Sequence, residues 1–88
     1  MKYKTLFSFN LESVKENEAG IQRFHKDTLF ENIVSLKISQ VEGDPGFYLF
    51  YVDASGDQLI ETYHATLEYA MRQAEIEFGL KPNRWNEA

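Results

Sequence analysis

Eighty-eight residues with 43% hydrophobic and 15% aromatic content fit one folded domain spanning 1–88, because disordered chains are poor in aromatic and branched side chains. The chain has no cysteine, which excludes disulfide frameworks, thiolate metal sites and cysteine nucleophiles. Its net charge of −5 is concentrated in residues 31–64, where six acidic residues meet one basic residue, so nucleic acid and anionic membrane are disfavoured as partners and a basic protein is favoured.

The first apolar patch is too short for a signal-peptide core, and no stretch approaches the roughly 20 apolar residues of a membrane span. A cytoplasmic protein is expected. Residues 2–9 alternate, with Tyr3, Thr5, Phe7 and Phe9 against Lys2, Lys4, Leu6 and Ser8, which predicts a half-buried strand. Residues 10–20 are mostly polar and read as a solvated loop or a short helical turn. In residues 21–30 the apolar anchors Ile21, Phe24 and Phe30 keep neither period, so a loop that could hold a short strand is expected.

Residues 31–42 alternate again, Val34, Leu36 and Ile38 against Ser35, Lys37 and Ser39, and predict a second strand. Gly43-Asp44-Pro45-Gly46 supplies turn chemistry, proline setting φ at the second position and glycine tolerating positive φ at the third. Residues 47–52 are apolar without interruption and predict a third strand, the central one, either covered on both faces or with its tyrosines reaching the rim. Asp53 to Asp57 marks another reversal, and residues 58–64 resume as a strand. Leu67, Ala70, Met71, Ala74 and Phe78 then fall within about 100° of arc on a helix. Thr66 is the expected N-cap, Gly79 the left-handed stop, Leu80 the residue that folds back, and Pro82 bars continuation. The fold class is therefore α+β, an antiparallel meander of about four strands with one C-terminal helix on one face.

Motifs for chemistry are weak. Asp53, Ser55 and Asp57 with Gly56 imitate the start of a calcium loop, but the positions that should hold glycine and a bidentate glutamate are Gln58 and His64. A turn accounts for the same residues. His25 and His64 are 39 positions apart with no spacing that makes them ligands, no serine lies in a nucleophile elbow, and no glycine-rich phosphate loop is present. No metal or cofactor is expected. On the outer helix face, Tyr69 and Ile76 lie nearly opposite the core stripe and form a candidate contact patch. Trp85 is expected to fold back and seal the core.

The helix end Arg72-Gln73-Ala74-Glu75-Ile76-Glu77-Phe78-Gly79, followed by Trp85, resembles a loose group of small bacterial proteins, some similar to immunity proteins that block secreted toxins. The likeness spans roughly residues 46–85, includes Tyr63-His64, and departs at Ala65, where an acidic or polar residue is usual. What it implies is a helix, a cap and a seal, and an immunity-like role. The expected function is a non-enzymatic protein-binding domain for a basic partner such as a toxin, with Asp44, Asp53, Asp57 and Glu61 as steering carboxylates and Tyr48, Tyr51 or Tyr63 as aromatic anchors. The alternative is a homodimer packed through Tyr69 and Ile76. An enzyme using His64 and Glu61 is the least favoured reading.

Overall fold

The four long strands form where the side-chain pattern places them, and they assemble with neighbours in sequence as neighbours in space. The computed structural model describes residues 2–11 and 33–88. Strands β1 (Tyr3–Asn10), β2 (Ile33–Val41), β3 (Phe47–Asp53) and β4 (Gln58–His64) and a two-residue β5 (Asn86–Glu87) form one antiparallel sheet in the order β4-β3-β2-β1-β5. Helix α1 (Leu67–Phe78) follows β4 and rests on β3 and β4. The expectations for residues 12–30, His25 among them, lie outside the described residues. Among those described, no helix is long and apolar enough to cross a membrane.

Helix α1 begins and ends where its residue types require. The Thr66 side chain accepts from the Tyr69 N–H, a cap worth about 1 kcal/mol. At the other end Gly79 stands at φ 73°, and its N–H donates to the Glu75 carbonyl. Ala70, Met71, Ala74 and Phe78 are buried, Leu67 packs beside them, and Leu80 folds back into the same core. A 3-10 turn at Pro82–Arg84 then delivers Trp85, which is also buried, so the tryptophan seals the core as expected. Its indole Nε1 has no acceptor among the described residues. The chain continues into β5, a strand too short for periodicity to reveal.

Two bulges correct the face assignments. The β1–β2 register slips at Leu6, so Tyr3 and Thr5 lie on the face away from α1 while Phe7 and Phe9 lie under it. The Ser39 hydroxyl, buried on that outer face, donates to Thr5 Oγ1 at 3.5 Å. In β2 the slip comes at Val34, and Ile33 takes the core place expected for Val34. An extra residue unpaired in one strand reverses the alternation beyond it, which no count of period two survives.

Strand β3 is buried on both sides, but β2, not β3, is the central strand. Leu49 and Tyr51 join the core beneath α1; Phe50 and Val52 are buried on the opposite face. There Phe50 packs edge-to-face with Tyr3 (centroids 5.3 Å apart) and stacks beside Tyr48 (6.1 Å), and Tyr48 in turn meets Tyr63 at 4.9 Å. The sheet thus has a main core on one face and a small aromatic cluster on the other.

Candidate functional site

Asp44 is a clasp as well as a charge. The turn closes with the Asp44 N–H donating to the Val41 carbonyl, and the glycine at positive φ is Gly43 (84°) rather than Gly46, so the turn lies three residues earlier than the proline-centred one expected. Asp44 Oδ1 accepts the Gly46 N–H at 2.9 Å and the Tyr63 O–H at 2.6 Å, while Oδ2 accepts the Tyr48 O–H at 3.3 Å. The Tyr63 hydrogen bond, followed by that from Gly46, holds this carboxyl below its ordinary range, and the same bond pushes the Tyr63 phenol up. Desolvation raises the Tyr48 phenol. Gly46 is buried under the Tyr63 ring, and a Cβ there would collide with the phenolic oxygen.

At the other hairpin, Asp53 Oδ1 accepts both the Ser55 N–H (3.0 Å) and the Asp57 N–H (2.9 Å), and Gly56 takes φ 88°. Turn hydrogen bonds therefore engage one of the oxygens that a calcium loop would offer, Asp53 Oδ1. Asp57 and Glu61 are exposed. Asp44 precedes β3 and Asp53 is its last residue, six steps beyond Phe47, so strand rise alone sets them roughly 20 Å apart. The carboxylates form a line along the β3–β4 side, and Glu61 stands between the two turns.

The aromatic anchors divide. Tyr51 is buried and donates to Glu77 Oε1 on α1 at 2.6 Å, so it is no anchor for a partner. Tyr48 is half-buried beside Asp44, and Tyr63 is 51% exposed. Leu59, at 48% exposure, adds an apolar side chain to the same edge strand. Register places Glu61 opposite Phe50 and His64 opposite Phe47, on opposite faces of β4, which parts the pair an enzyme would need. His64 instead lies 2.8 Å from the Thr62 hydroxyl, and burial lowers its pKa.

Tyr69 and Ile76 lie elsewhere, on the solvent side of α1 at 62% and 67% exposure. A shallow groove of about 320 Å³ opens beside Tyr69, between Arg72, Glu75 and Pro82. A larger hollow of about 690 Å³ borders the β1–β2 end, where Lys2 and Lys4 face Glu42 and Asp44. Its mixed signs favour no single ligand charge. Among the described residues no three His, Asp or Glu side chains converge as metal ligands. No family model, curated protein or solved structure matches this chain.

Two of these groups make the fold acid-sensitive in the same direction. The folded pKa of His64 lies below its ordinary 6.5, so its contribution is complete above that value and is lost as pH falls towards the folded pKa. Asp44, held below 3.8, contributes above that value and loses its share as pH falls through its folded pKa. Melting temperature should therefore be flat near neutrality and fall in two stages on acidification. His64→Gln should remove the upper stage and Asp44→Asn the lower, as thermal melts from about pH 3 to about pH 8 would reveal. A melting temperature that rises on acidification would contradict both assignments.

Proposed function

We propose that this chain is a non-enzymatic protein-binding domain whose acidic β3–β4 side engages a basic protein, in the manner of an immunity protein that blocks a toxin. One observation carries the reading. Between Lys37 and Arg72 the sequence holds no lysine or arginine but carries Glu42, Asp44, Asp53, Asp57, Glu61 and Glu68. Five of these, all but Glu68, lie on the β3–β4 hairpin and the turn that precedes it, beside exposed Leu59 and Tyr63. Such a surface steers a cationic partner from a distance and offers apolar contact on arrival.

The test is capture of a partner from the native host followed by association kinetics at two salt concentrations. Association should slow as salt rises, because rim charges act mainly on encounter. Asp53→Asn with Asp57→Asn should reproduce part of that loss without unfolding. Both bonds to Asp53 end on Oδ1, an acceptor that asparagine retains. A partner indifferent to salt and to both substitutions would remove the electrostatic reading.

The second reading is self-association through α1. It is favoured by Tyr69 and Ile76, the most exposed large hydrophobic side chains among the described residues. Sedimentation mass that rises with concentration, and returns to the monomer value in Tyr69→Ser with Ile76→Ser, would support it.

A further inference from the structure

The two edges of the sheet are treated differently. On the β1 side, β5 pairs Glu87 with Phe7 and Asn86 with Ser8, and the Ala88 N–H donates to the Leu6 carbonyl. Among the described residues no strand lies beside β4. Its ladder to β3 can be counted from the turn, where the Asp53 N–H donates to the Asp57 carbonyl. Alternation then directs the backbone groups of Ile60 and Thr62 towards Tyr51 and Leu49, and those of Glu61 and Tyr63 outward.

An open edge is a template for another strand, and proteins guard such edges with bulges and charges. Here the ladder slips at Leu59, between the pairs Val52–Gln58 and Tyr51–Ile60, and Glu61 lies mid-strand. These guards are selective. A second copy paired two-fold about Glu61 would set the glutamates directly opposite one another, which is destabilising. A strand with a cation at that place turns the same guard into a contact.

We infer that the β4 edge is a docking strand for an extended segment of a basic protein, with lysine or arginine opposite Glu61 and an apolar residue two positions away against Tyr63. The inference rests on the proposed protein-binding role and gives it a mode, the addition of a strand to the sheet. Backbone hydrogen bonds to Glu61 and Tyr63 hold the segment. Glu61 reads its charge, while Tyr63 and Leu59 cover its apolar side chains.

Isotope-labelled protein and three blocked heptapeptides test it: alternating threonine and valine with a central lysine, the same with a central glutamate, and the lysine peptide N-methylated at alternate amides. In the free protein the amides of Glu61 and Tyr63 should exchange faster than those of Ile60 and Thr62. The lysine peptide should shift and protect Glu61 and Tyr63, the glutamate peptide should bind about tenfold more weakly, and Glu61→Lys should reverse that order. The N-methylated peptide should leave both amides unprotected. Equal protection in the free protein, or indifference to the central charge in both the parent and Glu61→Lys, would overturn the inference. So would a response confined to the helix face around Tyr69. A captured, salt-sensitive partner that leaves the Glu61 and Tyr63 amides unchanged would remove the docking strand while the basic-partner reading stands.

Discussion

Met71→Asp should abolish folding, whereas Arg72→Ala should melt within about 4 °C of the parent, since surface substitutions stay within about 0.5 kcal/mol. The two residues are adjacent, but the helix turns them to opposite environments. Met71 is 9% exposed and packs with Ala70, Ala74 and Phe78 against the sheet; Arg72 is exposed. A carboxylate at position 71 would lose its water with no described cation in the core to meet it, a penalty of several kcal/mol. Against the roughly 4 to 13 kcal/mol that hold together a domain of this length, that is decisive. Circular dichroism melts of both variants give the answer. If Met71→Asp melts within a few degrees of the parent, the apolar stripe is not the face that meets the sheet.

Tyr51→Phe should cost about 1.5 to 3 kcal/mol, the range for a hydrogen bond to a charged acceptor. The phenol crosses from β3 to α1, where Glu77 Oε1 accepts from it and also from Gln73 Nε2 at 2.5 Å. Its ring meets Phe78 edge-to-face at 5.1 Å, so apolar packing and a polar bond act on the same helix turn. Burial, and next the bond to Glu77, push the Tyr51 phenol far above the usual tyrosine range. A double-mutant cycle with Glu77→Met separates the two contributions. Coupling above about 0.5 kcal/mol supports the bond, and additivity within that margin would show it to be energetically idle.

The elements were legible because their residue types act locally. Thr66, Gly79 and the stripe from Leu67 to Phe78 specify a helix within one segment, and the structure has that helix with the same ends. Strand faces were less legible because an unpaired residue shifts the frame. At Leu6 and Val34 a bulge breaks the alternation, which turns Tyr3 and Thr5 away from the face of Phe7 and Phe9 and brings Ile33 into the core. The Asp44 clasp was lost in the same way. Counting back from the Asp53–Asp57 turn sets Tyr48 opposite Thr62, and only the slip at Leu59 brings it opposite Tyr63, within reach of the same carboxylate. The acidic line could be seen in the sequence as charge; the β4 edge that gives it direction, beside which no described strand lies, depends on strand order.

Trp85 equips the molecule with a reporter of its own state. It is the single tryptophan and is 8% exposed, so native emission comes from an indole shielded from water and moves to longer wavelength when the segment after the helix comes loose. Because the next two residues form the strand at one margin of the sheet while β4 forms the other, a ligand added at β4 should leave the emission colour unchanged. Intrinsic fluorescence can thus distinguish a chain that has bound from one that has begun to unfold, with no label attached.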